Sequence, residues 1–376
     1  MAEPPTSVHV AFSIVRDPRI ERSKHYPLLD LLTIALCAVV CGADSFVEME
    51  RFGHAKHDWF ETFLDLPFGI PSHDTFGRVF ALLDPGELQA GLLAWTQAVL
   101  PQSDRPVVAL DGKTLRRSHD RTNGHEALQL VSAWVSANHL FLGHQAVPDG
   151  GSEITTLPHL IDLLDLKHAI VTIDAAGTQP EVTRQLIDQQ ADYVLALKAN
   201  QSTLHQDVAQ VFTEARETDF AGIAHDTYET LEKGHGRIEQ RRAWLIHDPD
   251  YLTWLDEDDR WSGLTSVALV ERECRIGDQV TVEPRYFLSS LTDARELAEA
   301  VRLHWGIENS FHWILDVVFR EDDSRVRVGH AIENLALVRR LALHLLKQET
   351  TAKVGIKVKR NMAGWDNDYL RKVLQP

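Results

Sequence analysis

Two textures divide the chain. Over the first hundred residues apolar positions recur at helical spacing: "HYPLLDLLTIALCAVV" and "PGELQAGLLAWTQAVL" read as amphipathic or buried helices. Pro71, Ser72, His73 and Asp74 between them form a helix-start signal. The period then shortens to that of strands in "PVVALDG", "ALQLVSAWVSA" and "LFLGHQAV". "TLPHLIDLLD" predicts a helix, "HAIVTIDAAG" a buried strand ending on Asp174, "QPEVTRQLIDQQ" a helix and "DYVLALKAN" another strand. Three strands followed by alternating helix and strand predict a mixed sheet with helices packed on it. From about Thr227 to Leu291 the pattern is β again, an insertion expected to reach away from that sheet. A long helix from about Asp293 to Val318 follows.

Composition narrows the class without deciding it. A chain of 376 residues with 44% hydrophobic and 25% charged positions buries a large core. Three cysteines, Cys37, Cys41 and Cys274, form no paired motif and point to a reducing cytoplasm. No secretory leader is evident in "MAEPPTSVHVAF", and "LLTIALCAVVCGA" reads as a buried helix, too short for a bilayer. The net charge of −17 opposes a general polyanion coat. Its distribution is uneven: between Arg339 and Lys372 stand nine Lys or Arg against three acids, which reads as a basic C-terminal tail.

The chemistry lies in acids at unusual places. "VVALDGKTLRRS" ends an apolar run on Asp111 and turns at once basic through Lys113, Arg116 and Arg117, either a salt-bridged turn or a metal-binding acid beside a phosphate-binding surface. Asp174 ends a second apolar run. On the long helix Leu297, Val301, Phe311, Leu315 and Val318 form one apolar stripe, and Glu308 lies on it. A carboxylate there needs a cation, a metal or a cleft. Carboxylates alone, without His or Cys, are hard oxygen ligands suited to Mg²⁺ or Mn²⁺. A rival set on the same helix, His304, Glu308, His312 and Asp316 at four-residue spacing, fits a transition-metal site but lacks a second ligand-rich helix. No Walker, Rossmann or nucleophile-elbow motif occurs.

"DPRIERSKHYPLLDLLTIALCAVVCGADSF", "GIPSHDTFGRVFALLDP", "ALDGKTLRRS", "LALKANQ", "HGRIEQR", "HWGIENSFHWILDVVFREDDSRVR", "ENLALVRRLALHLLK" and "KRNMAGWDNDYL" together resemble the insertion-sequence DDE transposases that include the H-repeat-associated proteins, the ISAs-one family. The resemblance covers nearly the whole chain. It implies an α/β (α+β) ribonuclease H-like catalytic fold, a helical N-terminal region (1–103) and a catalytic domain in two parts (104–226 and 292–346). Between those parts it implies a β-rich insertion (227–291) before the last catalytic acid; the stretch after them (347–376) is the tail read from its charge. It further implies that Asp111, Asp174 and Glu308 bind two Mg²⁺ or Mn²⁺ ions. These would cut double-stranded DNA at the element ends, and the freed 3′ hydroxyl would attack target DNA. A homodimer on DNA is expected, with no membrane and no small-molecule substrate. The wider group's Y-x2-R-x3-E-x6-K signature, aligned on Glu308, meets Val301, His304 and Leu315 instead, so those roles do not carry over. Lys113, Arg116, Arg117, Lys198, Asn200, His235, Arg237 and Arg242 are the expected DNA contacts; each also reads as an ordinary solvated polar group. A metal-dependent nuclease that cuts without joining, and a catalytically idle DNA-binding relative, remain alternative readings.

Overall fold

The protein is described from a computed structural model, covering residues 12–99, 105–119, 124, 126–137, 139–234 and 236–375, without the side chains of 94–99. Five helices lead: α1 (Leu28–Val40), α2 (Phe46–Ala55), α3 (His57–Phe60), α4 (His73–Leu82) and α5 (Pro85–Val99). Their starts are encoded locally. Ser45 accepts from the Glu48 backbone while the Glu48 side chain returns to the Ser45 amide, and Ser72 accepts from Thr75. Counted with the turn before it, Glu21–Val40 is long and apolar enough to cross a bilayer. Every residue from Leu31 to Val40 is nevertheless buried in protein, which makes α1 a core helix.

The next elements are β1 (Val107–Thr114), β2 (Gln129–Val135), β3 (Leu140–Ala146), α6 (Glu153–Leu163), β4 (Ile170–Ile173), α7 (Pro180–Asp188), β5 (Asp192–Leu197) and α8 (Ser202–Glu217). Then come β6 (His225–Gly234), β7 (Arg237–Ile246), α9 (Pro249–Leu255), β8 (Ser266–Ile276) and β9 (Gln279–Ser289). Helix α10 (Ala294–Ile307) continues through a π-helical turn, Glu308–His312, into α11 (Trp313–Val317), and α12 (Ala331–Gln348), α13 (Ile356–Trp365) and α14 (Asn367–Leu374) close the chain. Among the described residues the strands form one sheet in the order β3-β2-β1-β4-β5-β9-β8-β7-β6. The steps from β1 to β4 and β4 to β5 are parallel and the others antiparallel.

Strand alternation sorts the core into two faces. Val108 and Leu110 of β1 join Val171 and Ile173 of β4 in a layer with Leu157, Leu160 and Ile161 of α6. Val107 and Ile170 face the other way, onto Leu297, Ala300 and Val301 of α10. Farther along the second face Ala109, Trp134 and Phe141 meet Phe311, and this cluster is continuous with α1, α4 and α12. The helical N-terminal region therefore shares one core with the C-terminal helices.

Two expectations are corrected here. The 227–291 segment is β-rich as expected, but it does not reach away from the sheet: Tyr286–Ser289 of β9 pair with Val194–Leu197 of β5. Without β9, the β5 edge would present unpaired backbone groups, and the four added strands satisfy it. The C-terminal basic stretch is not a tail. Arg339, Arg340, Lys359 and Arg360 are buried. Arg360 donates to the Val39 carbonyl (2.9 Å) at the end of α1 and to Asp44 (3.2 Å), and Arg339 donates to the Asp44 carbonyl. Lys359 donates to the Leu346 carbonyl (2.9 Å) at the end of α12. Cations belong at helix C-termini, where carbonyls are exposed and the dipole is negative, so these charges hold helices together.

Candidate active site

Three elements carry the acids. Leu110 is the register partner of Ile173 across the parallel β1–β4 pair, so the next residues, Asp111 and Asp174, lie at corresponding steps of adjacent strands. Both follow residues of the α6 face and so project to the α10 side. Asp174 caps the turn Ala175–Gly177, accepting from the Ala176 amide (3.0 Å), and Asp111 accepts from Gly112 (2.9 Å). Glu308 opens the π-helical turn and His312 closes it. Such one-residue insertions into a helix recur at functional sites because they re-aim the side chains that follow. They also break strict periodicity, which is why the straight stripe placed Glu308 on the core face. Ile307 and Phe311 occupy that face instead, and the Glu308 side chain is 61% exposed.

His312 stands between two of the carboxylates. Its ring is 5% exposed, and Nδ1 lies 3.4 Å from both Asp111 Oδ2 and Glu308 Oε2. Ligand atoms of Asp111, Glu308 and His312 all lie within 4.8 Å of one another. His304, one turn earlier, makes a 2.9 Å contact through Nδ1 with Thr172 Oγ1, fastening α10 to the strand that carries Asp174. Burial lowers the His304 imidazole to about 4, so it is neutral near pH 7.

The electrostatics leave the centre short of positive charge. Burial first, and then the neighbouring Asp174 and Glu308, push the Asp111 carboxyl up to about 6 against the opposing pull of His312. The hydrogen bond from His312 instead holds Glu308 below the ordinary carboxylate range. A partly desolvated acid beside two others fits a small divalent cation, whose charge would reverse the destabilisation of all three. Asp111 and Glu308 with His312 could hold one ion and Asp111 with Asp174 another. Next to Asp174 a cavity of about 400 Å³ is bordered by Lys198, His304, Trp305, Arg285 and Tyr286, and the Arg285 guanidinium stacks 4.2 Å from the Trp305 ring.

Comparison with known proteins identifies relatives along nearly the whole chain. Residues 102–345 match the family described as "Transposase DDE domain", and residues 10–96 match the one described as "DDE_Tnp_1-associated". Over 370 residues the chain is 35% identical to "Putative transposase YncI" of Escherichia coli O157:H7, covering 96% of this chain and 93% of that protein. It is 33% identical over 367 residues to "H repeat-associated putative transposase YhhI" of Escherichia coli K12, covering 96% of both chains. It is also 41% identical over 283 residues to an "Uncharacterized protein in dhlA 3'region" of Xanthobacter autotrophicus, covering 75% of this chain and 93% of that one.

The chain belongs to the DDE transposase family.

The cations expected to touch DNA fare unevenly in this transposase. Lys113 is corrected: it is buried, and its ammonium pairs with Asp316, with Glu321 (3.2 Å) and with Asp322 (3.9 Å). Arg116 and Arg117 are exposed but lean on Asp322 (3.3 Å) and Asp323 (3.2 Å). The turn after β1 thus meets the acidic run 321–323, and the salt-bridge reading of that turn holds for Lys113. Arg242 lies among Glu229, Glu271 and Glu273 at 3.5 to 3.8 Å, and Arg237 pairs with Glu239 at 2.9 Å, so neither presents an unanswered charge. Asn200 donates to the Ala175 carbonyl (2.6 Å), bracing the loop behind Asp174. Lys198 is exposed on the cavity beside Asp174. His235 lies outside the described residues. The rival transition-metal row is dispersed: His304 turns to Thr172 and Asp316 to Lys113, which leaves Glu308 and His312 together. Sequence reasoning weighed His312 only in that rival set. The signal it carried was its four-residue spacing from Glu308.

Proposed function

We propose that this transposase is catalytically competent, with a ribonuclease H-like centre in which Asp111, Asp174 and Glu308 hold two divalent cations, Mg²⁺ or Mn²⁺. The observation that carries the reading is that Asp111, at the end of a strand in register with the one that leads to Asp174, meets helix-borne Glu308 and is pushed up to about 6, first by burial and then by both other acids. Such ions, when bound, supply charge stabilisation to an in-line phosphoryl transfer and lower the pKa of an attacking hydroxyl. The chain's own residues supply the rest. Asp111 sits where both ions would share it. Asp174 is fixed by its backbone hydrogen bond and Glu308 by the π-helical turn, so the carboxylates are oriented before DNA arrives. Lys198 beside Asp174 is placed to neutralise a DNA phosphate, and neutral His304 holds α10 against β4 without adding positive charge.

The reaction read from this centre is cleavage of double-stranded DNA at the element ends, followed by attack of the 3′ hydroxyl on target DNA. The protein would act as a homodimer in the cytoplasm. Incubating purified protein with Mg²⁺ and labelled element ends tests it: nicked ends and joined products are expected. Cleavage without joined product would reduce the function to a nuclease, and binding without cleavage to an idle relative.

A further inference from the structure

We propose that His312 is itself a metal ligand, so that the ion held between Asp111 and Glu308 has a nitrogen donor while the ion between Asp111 and Asp174 is held by oxygen alone. The inference rests on the metal-binding reading above and extends it to a residue outside the acid triad.

The hydrogen bond that His312 makes to Glu308 is long. A charge-assisted N–H···O⁻ bond is about 2.7–2.9 Å long. His312 Nδ1 is instead 3.4 Å from each of two carboxylate oxygens, equidistant and too long for a strong bond to either. Adjacent ligands of one octahedral cation, with bonds of about 2.1 Å, lie about 3.0 Å apart, so the observed separations need to close by only a few tenths of an ångström for all three groups to share an ion. The imidazole nitrogen is therefore placed to share a cation with Asp111 Oδ2 and Glu308 Oε2.

The placement of the ring supports this. It closes the π-helical turn that Glu308 opens, so both donors are set by one backbone feature. Phe311 packs beside it with ring centroids 5.3 Å apart, and the side chain is 5% exposed, which restricts rotation away from the acids. Nδ1 is the ring nitrogen that faces both carboxylates. Mixed nitrogen and oxygen donors shift preference along the divalent series, so this ion should favour Mn²⁺ over Mg²⁺. The Asp111–Asp174 ion should not discriminate in that way.

The test uses full-length protein loaded with Mn²⁺ and pulsed EPR, with activity measured separately. A directly bound ¹⁴N coupling is expected in the wild type, changing on ¹⁵N-histidine labelling and disappearing in His312→Ala. Mn²⁺ titration of that variant should show one class of site weakened about tenfold or more, with its thermal melt reporting whether it folds. Mn²⁺ bound with oxygen ligands alone in the labelled wild type would overturn the proposal while leaving the acid triad standing. Failure to bind Mn²⁺ at all, or binding unaffected by Asp111→Asn, would sink the metal reading itself. The wild-type spectrum needs no substitution, so misfolding of the variant cannot obscure the answer.

Discussion

The carboxylate centre and the basic clusters treat charge in opposite ways. Around Lys113, Glu321 and Arg340 every charge is answered: Glu321 is fully buried between Arg340 (2.7 Å) and Lys113 (3.2 Å). Although burial alone would raise it, those two cations hold its carboxyl down to about 2. Around Asp111 the acids accumulate beside the His312 imidazole, and burial first of all drives the carboxyl up to about 6. Glu321 is sealed in with a Lys and an Arg, whereas the carboxylate centre is partly open and, among the described residues, has no such pair of buried cations among its acids. A buried charge cluster that the protein itself neutralises is architecture; one that it leaves uncompensated is a place for something to bind.

The sharpest way to break this contrast is Asp111→Asn. Loss of a shared metal ligand removes several kcal/mol of transition-state stabilisation, so cleavage should fall by about a thousandfold or more, measured on labelled element ends. Undiminished cleavage would show the cluster to be inert. Next in size is Glu321→Gln, which leaves Arg340 and Lys113 buried with less to answer them. Denaturant unfolding should show a loss of about 3–5 kcal/mol, and a variant of wild-type stability would remove the claim that this network holds the fold.

The two regions should also respond to pH in opposite directions. Ionising Asp111 costs the fold, because its folded carboxyl titrates near 6 and the unfolded one near 3.8. That penalty, about 3 kcal/mol in the metal-free protein, is complete above pH 6 and is relieved as pH falls toward 4. Asp111→Asn should therefore melt higher than the wild type at pH 7 without metal, and divalent cation should close the gap by stabilising the wild type. Glu321 stabilises above its unfolded value of 4.5, and that contribution is lost as pH falls from 4.5 toward 2. Stability profiles of the two variants against pH would show whether the windows separate in this way.

The smallest effect concerns DNA. Lys198→Ala should weaken binding to all sequences alike and flatten the salt dependence by about one unit of slope. Replacing Arg116 and Arg117 together should change the slope by less than two units, because each already leans on an acid. A larger change from the arginine pair would return the turn after β1 to the DNA-binding surface.

The amino-acid sequence by itself determined the elements and the acids. Ser45 and Ser72 announce helices through backbone hydrogen bonds made within three residues. The apolar runs ending on Asp111 and Asp174 announce strands, because burial on both faces requires them. The tertiary structure decided what each charge does. Whether Lys113 meets DNA or Glu321 depends on a contact across 208 residues, and whether Arg360 lies free or caps α1 depends on one across 321. The π-helical turn that sets Glu308 beside His312 depends on how α10 packs against the sheet, where Phe311 must reach Trp134 and Phe141. Hydrogen bonds within a turn of helix are legible in a string of residues because their partners are neighbours in it. Compensation of charge is not, because the electrostatic cost of burial is set by whichever atoms the fold brings near.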